Sequence, residues 1–108
     1  MILRLWHGWT DPEKADAYEK LLLGEVIPGI MEKRVEGFRH IEVLRRDDGD
    51  EVVFVTLMWF DSLDAVRAFA GEDYARAYVP AAAQALLKRF AGQSAHYEVR
   101  ADFPAAGD

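Results

Sequence analysis

The chain carries three histidines, and imidazole is the side chain that exchanges protons near neutral pH. His7, His40 and His96 stand far apart, without the HxxxH or HxxE spacing that would place two ligands on one helix face. No metal site is expected from them, and each is read first as a structural histidine. The absence of cysteine removes thiolate catalysis, disulfides and zinc ribbons together. Gly24, Gly29 and Gly37 form neither GxGxxG nor a Walker loop, so no phosphate cradle is expected. Ser62 is accounted for as a helix cap and Ser94 as the start of a strand, which leaves no hydrolytic triad. What remains is aromatic: Trp6, Trp9 and Trp59 on strands, and Tyr18, Phe69, Tyr74 and Tyr78 on helices. Aromatic side chains mostly fill cores. An apolar cavity edged by a few polar groups is also the usual form of a small-molecule site.

The elements that must position these groups are legible from periodicity. Ile2–Trp9 reads as a strand, with Leu3, Leu5, His7 and Trp9 on one face. Thr10-Asp11-Pro12-Glu13 reads as a helix start, with Thr10 as cap and Glu13 completing a capping box. That helix runs through Tyr18, Leu22 and Val26 until Pro28-Gly29 breaks or kinks it, with a short turn continuing to Arg34. Gly37–Arg46 and Glu51–Phe60 read as a hairpin around Asp47–Asp50. Leu63–Ala70 reads as a helix capped by Asp61 or Ser62 and ended by Gly71. A further helical piece is expected from Glu72, broken at Pro80 and resumed over Ala81–Phe90. Ser94–Phe103 reads as the last strand, and residues 104–108 as a tail.

The order is βαββαβ, the α+β ferredoxin-like arrangement: an antiparallel sheet with both helices on one face. One domain over residues 1–103 is the natural partition. Beyond Glu51, both faces of the strand Glu51–Phe60 are apolar and only Thr56 is polar, so that strand has no wet side. The helices cover one face of the sheet; a second copy of the chain is the simplest cover for the other. A homodimer through the helix-free face follows. A composition of 51% hydrophobic residues argues against disorder. A net charge of −6 argues against binding nucleic acid or anionic lipid. No leader or membrane-spanning run is visible, so a cytoplasmic location is the expectation.

Parity places His7 with the aliphatic Leu3 and Leu5, and Trp59 with Val53, Val55 and Leu57. Those sets suit the helix-facing side, which brings His7 and Trp59 together beneath the helices. Tyr78, just before Pro80, is then placed to close the cavity.

The chain resembles the antibiotic biosynthesis monooxygenase-like proteins, which are dimeric α+β barrels. The resemblance rests on Leu5-Trp6-His7-Gly8, Ala17-Tyr18, Met58-Trp59 with Ser62, Phe69-Ala70-Gly71-Glu72-Asp73 and His96-Tyr97-Glu98-Val99. It implies a cofactor-independent monooxygenase acting on an anthrone- or quinone-like aromatic small molecule. His7 is the candidate base, Trp59 the stacking platform and Tyr78 the hydrogen-bond donor to a ring oxygen. Trp9, Tyr18, Phe69, Tyr74 and His96 are the further candidate ligand contacts. Other relatives degrade haem with an asparagine, a tryptophan and a histidine; Trp59 falls at that tryptophan, His7 near the asparagine and Tyr78 near the axial histidine. The alternative to catalysis is a homodimeric binding or structural protein with the same pocket.

Overall fold

The computed structural model describes residues 1–107. In chain order the elements are β1 (Ile2–Thr10), α1 (Pro12–Leu21), a π-helical turn (Leu22–Val26), α2 (Ile27–Glu32), β2 (Phe38–Asp48), β3 (Glu51–Phe60), α3 (Leu63–Ala70), α4 (Ala81–Gln84), β4 (Arg89–Phe90) and β5 (Ala95–Glu98). The sheet runs β2-β3-β1-β4, and β5 also pairs with β1. Strands β1 and β3 are central and pair antiparallel over their whole length, from Ile2↔Phe60 to Thr10↔Val52. The last segment of the chain splits along the far edge of β1: β5 lies against Ile2–Leu5 and β4 against Gly8 and Trp9. This is the α+β ferredoxin-like fold with its helices on one face.

Burial alternates along both central strands. In β3 the inward residues Val52, Phe54, Met58 and Phe60 are buried, while Val53, Val55, Leu57 and Trp59 are half-buried on the other face. In β1 the inward set is Ile2, Arg4, Trp6, Gly8 and Thr10, read from the burial of its alternate members. The helices therefore cover the face opposite to the one expected from parity. His7, Trp9 and Trp59 lie on the helix-free face. The reason is that both sets are apolar enough to face a core. Strand alternation fixes which residues share a face, not which face meets the helices.

Two clusters pack between sheet and helices. One joins Ala15, Tyr18, Leu22, Val52, Phe54 and Ala83; the other joins Ile2, Met58, Phe60, Ala65 and Val66. Ser62 caps α3 by accepting from the Ala65 N–H at 3.2 Å, as expected. Gly71 ends α3 at φ +88°, a conformation that favours glycine. Thr10 is not a cap. It is fully buried at the end of β1, its Oγ1 has no partner, and Asp11 occupies the cap position.

The first helix does not break at Pro28. A π turn precedes it, marked by an Ile27 N–H bond to the Leu22 carbonyl, and α2 continues to Glu32. Proline lacks an N–H and crowds the carbonyl four residues back; the wider turn absorbs that conflict. The hairpin turn is shorter than expected: Asp47 and Asp48 belong to β2, and Gly49-Asp50 alone make the reversal with Gly49 at φ +72°.

The expected helix over residues 72–90 shrinks to α4. The segment before Pro80 instead pairs with the chain returning toward β5. Ala77 N–H donates to the Gly92 carbonyl and Ser94 N–H to the Ala75 carbonyl. Backbone groups satisfied in that way have no need of a helix. The last strand is likewise shorter, ending at Glu98, and residues 99–107 are exposed; Asp108 of the expected tail lies outside the described residues.

Candidate active site

The two core clusters leave a gap between them, and that gap is a chamber. Its floor is the inward face of the central strands: Arg4 and Trp6 from β1, Thr56 and Met58 from β3. Its roof and walls are Tyr18 and Leu22 from the first helix, Val26 and Ile27 at the π turn, Phe69 from α3, and Tyr78, Val79, Pro80 and Ala83. The chamber encloses about 110 Å³ and meets an outer cleft of about 650 Å³. Arg4, Val26, Ile30, Phe69, Tyr78 and Pro80 line both. Together they reach the size of an ordinary small-molecule site.

Arg4 is the dominant charge. It is only 7% exposed although it lies mid-strand on the core side. Its Nη1 donates to the Tyr74 carbonyl, and lies 2.9 Å from His96 Nε2. Burial pulls the guanidinium down from its ordinary value. His96 is also held below the usual histidine range, by burial first and then by the Arg4 charge. A neutral His96 can accept from Arg4 at Nε2, which ties its protonation state to that contact. Tyr74 packs edge-on against His96 at 5.1 Å, and Phe69 lies 5.7 Å from the Arg4 guanidinium.

Tyr18 is buried beside Phe54, edge-on at 4.8 Å, and burial pushes its hydroxyl up to about 12. It stays protonated at neutral pH. Thr56 and Ser94 add hydroxyls, and Trp6 Nε1 donates to the Ala91 carbonyl at 2.9 Å, which fixes the indole in the chamber wall. Gly8 makes room for that indole: a Cβ there would meet Trp6 Cη2 at 2.5 Å.

The family model for antibiotic biosynthesis monooxygenases matches residues 1–81. The chain belongs to that family. No curated protein matches it in sequence. Solved structures share its fold. A Bacillus cereus protein described as an antibiotic biosynthesis monooxygenase is 18% identical with a TM-score of 0.69, over 96% of this chain and 97% of that one. A monooxygenase from the gene ActVA-Orf6 of Streptomyces coelicolor, solved with nanaomycin D, is 17% identical with a TM-score of 0.60, over 97% and 92%. SnoaB, a cofactor-independent oxygenase from Streptomyces nogalater, is 20% identical with a TM-score of 0.57, over 96% and 98%.

In this antibiotic biosynthesis monooxygenase family member, the sequence-derived candidates divide into three groups. Tyr18, Phe69 and Tyr78 line the chamber, with Tyr78 88% exposed at its mouth. Tyr74 and His96 stand behind Arg4. His7, Trp9 and Trp59 are on the far side of the sheet, where His7 stacks on Trp9 at 5.7 Å and His40 packs on Trp59 at 5.1 Å. Arg4, Trp6 and Thr56 are the pocket residues that sequence reasoning missed. Their signal was polarity: Thr56 is the one polar residue in the apolar core of β3, and Arg4 interrupts an otherwise apolar stretch. Neither the chamber nor the outer cleft is lined by a histidine, so neither offers an axial imidazole to haem; Tyr78 lies at the mouth with its side chain 88% exposed. Among the described residues no helix is long and apolar enough to cross a membrane.

Proposed function

We propose that the chain is a cofactor-independent monooxygenase acting on an aromatic small molecule, bound in the chamber between sheet and helices. The observation that carries this reading is an aromatic-walled chamber, bounded by Trp6, Tyr18 and Phe69, in a member of this family. An enolisable ring supplies its own electrons once ionised. Its CH₂ becomes C=O; one atom of O₂ enters the product and the other leaves as water with the two hydrogens. Flavin and metal are then unnecessary.

The chamber holds no base. Its polar side chains are Arg4, Thr56, Ser94, Tyr18 and Tyr78, and neither a carboxylate nor an imidazole lines it. The reading therefore applies to rings acidic enough to ionise in water, their proton leaving through the open cleft. The same observation favours a second reading, a pocket that binds and does not react. Oxygen uptake with a panel of hydroxylated anthrones, in flavin-free and metal-free buffer, separates the two. Consumption of one O₂ per substrate is expected, with Trp6→Ala lowering kcat/KM about tenfold or more and His7→Ala leaving it within about twofold. No uptake across the panel rejects catalysis and leaves binding.

The dimer belongs to the same proposal. Leu5, Val53, Val55, Leu57 and Trp59 form a half-buried apolar surface on the helix-free face, and Leu44 extends it at 46% exposure. A contiguous apolar face of that kind is the mark of an interface. Two such faces packed on each other close an α+β barrel of two chains. Val55→Asp places a charge at its centre and is expected to yield a monomer by light scattering; a wild-type chain that is itself monomeric at micromolar concentration overturns the proposed interface.

A further inference from the structure

Arg4 is a buried cation without an anion. No carboxylate lies within salt-bridge distance of it among the described residues, although the chain makes ten such contacts elsewhere, every one involving partners more exposed than Arg4. Burying a charge unpaired is costly, so a site that keeps one is built to meet its partner from outside. Both protein contacts of the guanidinium are taken by Nη1. Nε and Nη2 bond to nothing in the described residues. They are not sealed off either: the one sealed, unpartnered side-chain polar atom is Thr10 Oγ1.

Nε and Nη2 form the side-on edge of the guanidinium, the edge that receives both oxygens of a carboxylate. The same protein shows that pairing on its surface. Arg39 Nε donates to Asp61 Oδ1 at 2.7 Å, and Arg39 Nη2 to Asp61 Oδ2 at 2.5 Å. The outer cleft is cationic in the same sense. It is lined by Arg4, Lys33 and Arg76 against the single carboxylate of Glu25, on a chain whose net charge is −6. The local sign opposes the global one, which is how a small site attracts an anion without the whole surface doing so.

We infer that the ligand is an aromatic acid, whose carboxylate pairs with the Nε–Nη2 edge of Arg4 while its ring lies among Trp6, Tyr18 and Phe69. This rests on reading the chamber as a small-molecule site. It goes further in naming the group that anchors the ligand and the side chain that selects it. Arg4 here is a binding residue, and the reacting carbon is elsewhere on the ring.

The test is calorimetric titration of the purified full chain with 2-naphthoate and with 2-naphthamide, which differ in charge and hardly in shape. The carboxylate is expected to bind at least about tenfold more tightly, the scale of a charge-assisted bidentate pair. Arg4→Gln is expected to bring the two affinities within about twofold of each other. Equal binding of both probes to the wild type overturns the carboxylate anchor and leaves the aromatic pocket standing. Binding of neither overturns the pocket reading and the anchor with it. A preference that survives Arg4→Gln overturns the assignment to Arg4. If Arg4→Gln does not fold, Arg4→Lys takes its place: it keeps the charge, loses the fork, and is expected to lose most of the preference; an undiminished preference in it overturns the fork.

Discussion

Phe54→Ala is expected to cost about 3–5 kcal/mol of stability, a large share of what a domain of this size possesses. Phe54 is fully buried in the middle of β3, at the centre of the cluster formed with Ala15, Tyr18, Leu22, Val52 and Ala83. Its ring meets Tyr18 edge-on at 4.8 Å and lies under the Arg45 guanidinium at 5.6 Å. Truncation removes a whole ring and leaves a hole between a sheet and a helix, neither of which can move far to fill it. Arg45 also spans to Asp16 at 2.8 Å and Glu19 at 3.1 Å on α1, so the helix is pinned at the hole's edge. Urea denaturation checks this through the midpoint. Phe103→Ala is the control: Phe103 is 89% exposed, and its loss is expected to change stability by under about 0.5 kcal/mol. Equal effects at the two positions would mean that the sheet and first helix do not pack as described.

Gly8→Ala is expected to disrupt the candidate site with a single methyl. The new Cβ would stand 2.5 Å from Trp6 Cη2, 2.9 Å from Trp6 Cζ3 and 3.1 Å from Leu87 Cδ2. The indole has to swing away, breaking its bond to the Ala91 carbonyl and entering the chamber it now bounds. Overpacking of this kind costs about 1–3 kcal/mol. The larger effect is on the site, because a displaced Trp6 takes the space of a ligand ring. Loss of 2-naphthoate binding with the fold intact by circular dichroism is the expected result. Gly8→Ala combined with Trp6→Leu is expected to recover stability relative to Gly8→Ala alone, since the clash and its cause are removed together. Thermal melts of the two variants measure that coupling. Additive losses would show that Gly8 is needed for its backbone and not for the space beside it.

These two positions also show what could be read from the sequence and what could not. The element order, the central place of β1 and β3, the Ser62 cap and the Gly71 stop all rest on local chemistry, and local chemistry is visible in one chain. The orientation of the central strands is not local. Leu3, Leu5, Val53, Val55 and Leu57 look like core residues, and they do lie on an apolar face, the one without helices. Reading them as helix-facing puts His7 and Trp59 in the chamber and leaves Arg4, Trp6 and Thr56 out of it. A pocket needs polar and small residues on the helix side, so its face is the less uniformly aliphatic of the two. Arg4, Thr56 and Gly8 were the signs of that. The segment after Gly71 departs from the expected helix for another reason: its alanines favour helix, but pairing with residues 92–94 satisfies the backbone instead.

The place of β1 has a consequence for how the sheet is assembled. Its nine residues precede every strand they pair with: β3 on one side, then β4 and β5 on the other. The Val99 N–H closes the ring of partners by bonding the Met1 carbonyl at 2.9 Å. Until β3 has paired with it, the future centre of the sheet is a lone apolar strand bearing two tryptophans. Until Glu98 follows, it has an open edge with Arg4 exposed beside it. The β2–β3 hairpin, joined by two residues, is by contrast the most local pairing in the sheet. The centre of the sheet is therefore built from pairings distant in sequence, and closing the far edge of β1 waits on the last strand.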